Sequence, residues 1–266
     1  MSILVDDILV EDRARGVAIE ALVAGAGPDV VLLASALRGA ADFAEVQARL
    51  AAAGFRTIAL NMRGVGRSTG PFANLTLRDL ADDVAGVIGE LCEGPAHLVG
   101  HALGNIVARG TASFRPEMVR SVTVMPCGGH NLGSFPVSGH VLHHFARCHQ
   151  PDLSEAERRE SLSVAFFAPG NDPGAWLDGW WPQATGISAA ALKTDPEEWW
   201  HAGDKRVLIL HPLEDAMAPP AQGHAARDAF GARAQYVEIP RCGHAILPEQ
   251  PEFVAQAIAA FLRAQD

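Results

Sequence analysis

The sequence predicts one α/β domain built on a mostly parallel sheet flanked by helices, with a helical lid inserted past the middle of the chain. Three observations carry this expectation. Short β-rich runs alternate with helical periods from Gly16 to Met125 and again from Arg206 onward. That rhythm breaks between about Cys127 and Gly203, a stretch that holds all five tryptophans and histidines at 130, 140, 143, 144 and 149. A length of 266 residues, 48% of them apolar, suits a single large core with an insertion better than two independent domains. The expected organisation is a core of residues 1–126 and 204–266 with a lid over 127–203.

The elements follow in order. GVAIEALVAG and DVVLLAS read as strands, DFAEVQARLAAAG as an amphipathic helix, and FRTIALN as a further strand. Thr76 with Asp79 three residues later forms a capping-box pattern for a helix from Leu77 to about Cys92, which Gly94-Pro95 stops. The buried strand AHLVG leads into a helix starting near Leu103, and Val119 to Met125 is another short strand. After the lid come RVLILH, a helix opened by Pro219-Pro220, the strand AQYVEIP and a last helix from about Glu249 to Arg263.

Composition excludes several classes. A net charge of −10 opposes binding to nucleic-acid phosphates or anionic lipid. No apolar run reaches the roughly twenty residues of a membrane span. The start, MSILVDDILVEDR, mixes acids with apolar residues and lacks a signal peptide's basic and apolar regions, so the expected address is the cytoplasm. Cys92, Cys127, Cys148 and Cys242 form no CxxC pair and are expected to be buried free thiols. No cofactor or metal is expected: His140 and His144 have i, i+4 spacing but no acidic partner of the zinc-protease kind. The expected partner is a small molecule, with no nucleic acid and no membrane.

Open parallel sheets bind ligands beyond the carboxyl ends of their strands, so chemistry is sought in those loops. AHLVG runs into Gly100-His101-Ala102-Leu103-Gly104 and then a helix, the strand-turn-helix setting of a G-x-S-x-G nucleophile elbow. RVLILH leads to Pro212-Leu213-Glu214-Asp215, and AQYVEIP leads to Arg241-Cys242-Gly243-His244, an acid and then a histidine in chain order. With Asn61-Met62-Arg63-Gly64-Val65-Gly66-Arg67-Ser68, close to D-x-R-G-x-G-x-S, and Pro248-Glu249-Gln250-Pro251 after the histidine, the chain resembles the lidded α/β-hydrolase superfamily over nearly its whole length. The resemblance implies an eight-stranded sheet with the lid after the sixth strand. It implies that Asp215 orients His244, that His244 is the general base, and that position 102 is the nucleophile. The backbone amides of Ala36 and Leu103 would then form the oxyanion hole.

Two positions depart from the pattern. Ala102 has no atom able to attack a carbonyl, so an acyl-enzyme at that residue is impossible. The family's His-Gly after DVVLL is here Ala34-Ser35, followed by Leu37 and Arg38. A single laboratory Ser→Ala change would not account for both, and the elbow also resembles a bacterial group that reads Gly-His-Ala, which favours a natural alanine over an engineered one.

Other candidates carry plainer alternatives. Arg38 is a candidate carboxylate clamp or a solvated loop arginine, with the latter favoured. Ser35 is a candidate substrate-contacting hydroxyl, with a nucleophilic role disfavoured, and Trp176 and Trp180 line an apolar pocket or anchor the lid. His101 reads as structural packing behind the elbow. His211 reads as a satisfied core histidine and Cys242 as packing, and Gly64 with Gly66 lacks a phosphate-loop pattern. The expected function is hydrolysis of a small apolar ester, thioester, lactone or activated C–C bond, with the chain inactive or non-covalent because of Ala102. The alternatives are a lyase or proton-transfer enzyme using His244 and Asp215, and a catalytically silent ligand-binding protein.

Overall fold

Strands β1 (Val5–Asp12), β2 (Val17–Ala24), β3 (Asp29–Leu33), β4 (Arg56–Leu60), β5 (Ala96–His101), β6 (Val119–Met125), β7 (Arg206–Pro212) and β8 (Ala234–Ile239) form one sheet. They were obtained in a computed structural model that describes residues 4–126, 135–150 and 152–265. The order is β1-β2-β4-β3-β5-β6-β7-β8, antiparallel at β1/β2 and β2/β4 and parallel from β4 to β8. The eighth strand is β1, at the sheet's edge. Its acid-rich alternation leaves five of its eight residues exposed and none fully buried, so it lacks the apolar run that marks the central strands. In β3 and β5 nearly every residue is buried, as expected for strands covered on both faces.

Helices α1 (Ala44–Ala52), α2 (Leu77–Leu91) and α3 (Leu103–Phe114) follow β3, β4 and β5. The capping box on α2 is present: the Thr76 side chain accepts from Asp79 N–H, and the Asp79 carboxylate accepts from Thr76 N–H. One apolar layer packs α2 and α3 on the sheet through Leu80, Val84, Val87, Ile88 and Val107. The other packs Phe43, Val46 and Leu50 against Val254, Ile258 and Phe261 of the C-terminal helix.

Between β6 and β7 lie α4 (Gly139–Arg147), α5 (Glu155–Ala165) and α6 (Thr185–Lys193), joined by short 3₁₀ turns. Cys127, His130 and the expected start of the lid fall outside the described residues. Within this stretch Cys148, Leu162, Phe166, Phe167 and Trp176 form a cluster of their own with Ala245, whereas Ile187, Ala190, Trp199 and Trp200 join the α2/α3 layer. After β7 come α7 (Pro220–Phe230), the single turn α8 (Ile246–Glu249) and α9 (Pro251–Arg263). The last helix therefore starts later than the sequence pattern suggests. Gln250, at φ −138° and ψ 49°, lies outside the helical region that the following proline ring disfavours, and Pro251 opens α9.

Candidate active site

The elbow between β5 and α3 puts Ala102 at φ +49° and ψ −108°, a strained conformation for a residue with a Cβ. Close packing enforces the turn. A Cβ on Gly100 would lie 2.3 Å from the Gly104 carbonyl oxygen, and one on Gly104 would lie 2.1 Å from that of Leu33. Ala102 N–H donates to the Met125 carbonyl at 2.6 Å, so the elbow is fastened to the end of β6. Leu103 is the first residue of α3, where the helix's own ladder offers its N–H no acceptor.

The loop after β7 delivers Asp215, whose side chain is fully buried. Its Oδ1 accepts from the N–H groups of Met217 and Ala218, both at 2.8 Å, and its Oδ2 accepts from His244 Nδ1 at 2.9 Å. An ionised carboxylate can only accept, so Nδ1 carries the proton and Nε2 of His244 is left as the basic atom. His211 does not enter the cavity. It donates from Nε2 to the Ala218 carbonyl at 3.0 Å, bracing the turn that wraps Asp215, while burial holds its imidazole below the usual range.

Three contacts fix the histidine loop. His101 Nε2–H donates to the His244 carbonyl at 2.8 Å, Ala245 N–H to the Phe166 carbonyl at 2.9 Å, and Gly243 N–H to Glu249 Oε2 at 2.8 Å. His101 is wholly buried, and burial, followed by the neighbouring His244, pushes its imidazole down to about 3. It is therefore a neutral prop. The other oxygen of Glu249 accepts from Ala168 N–H at 2.7 Å and Asn171 Nδ2 at 2.6 Å, tying the histidine loop to the chain that follows α5. Burial raises the Glu249 carboxyl above its ordinary value, against the pull of these donors. No role for Glu249 follows from residue type alone; its place in Pro248-Glu249-Gln250-Pro251 was the available signal.

A cavity of about 140 Å³ lies over these groups. Ser35, Ala36, Ala102 and His244 line one side, with Leu37 and Arg38 beside them. Phe145, His149, Phe166, Trp176 and Trp180, all from the segment between β6 and β7, line the other. Of the nominated site residues, only Asp215 and Leu103 lie outside this wall, Asp215 behind the His244 ring.

Arg38 requires correction. It is neither a solvated loop residue nor a free clamp. It is 5% exposed, its Nε and Nη2 donate to Asp42 at 2.9 and 2.6 Å, and its Nη1 donates to the Asp178 carbonyl. Its guanidinium lies 4.9 Å from the ring centre of Trp176 and 4.8 Å from that of Trp180. Both tryptophans thus line the cavity and anchor the segment.

The remaining candidates pack. His140 and His144 meet edge to face at 4.7 Å, and His144 Nδ1 pairs with Ser161 Oγ at 3.2 Å. Cys148 and Cys242 are buried, whereas Cys92 is only half-buried; burial pushes the thiols of Cys92 and Cys148 up to about 12 and that of Cys242 higher still. Asn61, where the resembled motif has Asp, has a local reason: its Nδ2 donates to Glu20 Oε2 at 2.6 Å and its Oδ1 accepts from Ala40 N–H. A second carboxylate there would face Glu20.

Comparison with known proteins agrees with this frame. The 2-(acetamidomethylene)succinate hydrolase of Mesorhizobium japonicum is 38% identical over 101 residues, 38% of this chain and 36% of that protein. The chain thus matches little more than a third of that relative's length. The esterase EaEST of Exiguobacterium antarcticum superposes with a TM-score of 0.78 at 17% identity, over 97% of this chain and 100% of that one. A serine-to-alanine mutant of the meta-cleavage product hydrolase CumD of Pseudomonas fluorescens IP01, complexed with acetates, superposes at 0.73 with 23% identity over 98% of each chain. At such identities the two superpositions bear on the fold alone. The profile described as "Alpha/beta hydrolase family" matches residues 17–257, and the chain belongs to that family.

Proposed function

We propose that the chain hydrolyses a small apolar ester, thioester, lactone or activated C–C bond without a covalent intermediate, using water in place of the missing side-chain nucleophile. The observation that supports this reading most is the pairing of a fully buried Asp215 with His244 on the wall of the cavity that Ala102 also lines. Such a pair is worth keeping where a base is used, because a buried carboxylate needs the three donors it has here.

In this scheme Nε2 of His244 takes a proton from a water molecule as the water oxygen bonds to the substrate carbonyl carbon. Asp215 stabilises the imidazolium that forms. The N–H groups of Ala36 and Leu103 hold the oxyanion, and His244 returns the proton to the leaving group as the tetrahedral intermediate collapses. Residues 127–203 act as the lid that keeps bulk water from this exchange. The relative's name, a hydrolase of a substituted succinate, supports hydrolysis of a small molecule without assigning the bond.

Turnover of short activated esters by the chain as it stands, by Ala102→Ser and by His244→Ala provides the test. The expected result is single-phase turnover with no acyl burst and a loss of about a hundredfold or more on His244→Ala. Turnover unchanged in His244→Ala, or a trapped acyl adduct on the unaltered chain, refutes it. A gain of several orders of magnitude in Ala102→Ser that vanishes when His244→Ala is added would mark a disabled serine hydrolase instead.

A further inference from the structure

We infer that the ligand of this cavity is an uncharged molecule whose enclosed part is no larger than a benzene ring, and that anions and cations of the same shape are rejected. The inference rests on the proposed site and narrows its substrate class.

Two kinds of side chain in the wall recognise ions, and each is already spent on the other. An arginine fork binds carboxylates by paired N–H donors. Arg38 directs that fork at Asp42, through Nε and Nη2, and both side chains are nearly fully buried, at 3% and 8% exposure. Tryptophan faces bind ligand cations. The rings of Trp176 and Trp180 instead flank the Arg38 guanidinium, at 4.9 and 4.8 Å. The group of Asp42, Arg38 and the two indoles is electrically closed.

The rest of the wall supplies no replacement charge. Among the described residues lining the cavity, Arg38 is the only Lys or Arg and there is no Asp or Glu. Burial lowers the imidazole of His149, which keeps it neutral. Behind His244 stands the carboxylate of Asp215, whose negative charge adds to the cost of bringing an anion in. An ionic ligand would shed its water here and meet no lining side chain that carries a free, permanent opposite charge, so it is disfavoured against an uncharged molecule of the same shape.

Volume sets the second limit. The cavity of about 140 Å³ is close to the roughly 150 Å³ at which an apolar protein cavity takes up benzene. A ring the size of benzene about fills the enclosed space, and a substituent on it or a longer chain must reach toward the cavity mouth.

Benzamide, benzoate and benzamidinium share one shape and carry charges of zero, minus one and plus one. Their binding to the full chain at pH 7.5, followed by calorimetry, ranks the three without any need for turnover. Benzamide is expected to bind at least tenfold tighter than either ion. Asp42→Asn, which frees the Arg38 charge, is expected to improve benzoate at least tenfold relative to benzamide. Either ion binding as tightly as benzamide, none of the three binding up to its solubility, or a folded Asp42→Asn chain with an unchanged ranking would overturn the inference. If Asp42→Asn does not fold, the ranking on the unaltered chain decides alone. Neutral-ligand preference without turnover would count against the hydrolytic reading only, whereas turnover with an anion preference would count against this inference only.

Discussion

Acidification should weaken the fold through His101 in a way that a single substitution can isolate. Its imidazole is wholly buried, and burial holds it at about 3 against an ordinary 6.5. Its Nε2–H is committed to the His244 carbonyl, and its Nδ1 is buried with no hydrogen-bond partner, so a second proton would place a charge in a dry site. The sign follows from proton counting: below 6.5 the unfolded chain binds a proton at this residue and the folded chain does not, so stability falls as pH falls. The contribution is complete above about 6.5 and drains away toward 3. Between pH 7.5 and pH 4.5 the loss spans two pH units at about 1.4 kcal/mol each, or about 3 kcal/mol. His101→Gln keeps a donor for the His244 carbonyl and does not titrate, and it leaves every other ionisable group in place. Urea unfolding of both chains at the two pH values reads the difference. The unaltered chain should lose about 3 kcal/mol more than the variant. Equal losses would mean that His101 takes up its proton in the folded state, and the assignment of a neutral prop behind His244 would fall.

Other outcomes follow from the same geometry. Asp215→Asn keeps an acceptor for Met217 and Ala218 but disturbs the tautomer of His244; on short activated esters it should lose turnover by about a thousandfold or more while melting near the unaltered chain. Gly104→Ala drives a Cβ to 2.1 Å from the Leu33 carbonyl oxygen, a backbone atom that cannot step aside, so thermal unfolding should show a loss of about 3 kcal/mol or more. Glu249→Gln can still accept from Ala168 and Asn171, but its amide must then face the Gly243 N–H donor to donor. A cost of about 1–3 kcal/mol is expected, with faster amide hydrogen exchange at Gly243 and Ala168 than in the unaltered chain.

Legibility in the sequence followed the range of the interactions involved. The central strands were readable because burial on both faces leaves uninterrupted apolar runs such as Val30 to Leu33, and the start of α2 because Thr76 and Asp79 satisfy each other within one turn. β1 was not read as a strand, since its half-exposed position tolerates the acids that broke the apolar run. The loops carrying Asp215 and His244 could be nominated from chain order, and the hydrogen bond between them closes a separation of 29 residues. Arg38 illustrates what stayed hidden. Its partner Asp42 lies one helical turn away and was visible, but Trp176, Asp178 and Trp180 arrive from about 140 residues downstream, and they turn a solvated arginine into a buried one. Glu249 is a similar case, because its donors come from Ala168, Asn171 and Gly243.

The strained backbone at Ala102 and the buried pair behind it have different meanings. Conformations such as φ +49° and ψ −108° cost about 1–3 kcal/mol and often mark catalytic residues, yet here close packing and the hydrogen bond to Met125 also enforce the turn. β5 and α3 approach so closely at Gly100 and Gly104 that a Cβ at either position would collide with backbone, and neither contact involves the side chain at 102. The elbow's geometry therefore says little by itself about activity. The Asp215–His244 pair has no such packing excuse. An apolar residue at 215 would avoid burying a carboxylate, which is costly to take out of water even with the donors it has here. The burial of a polar pair at that cost supports the proton-transfer role proposed for this site.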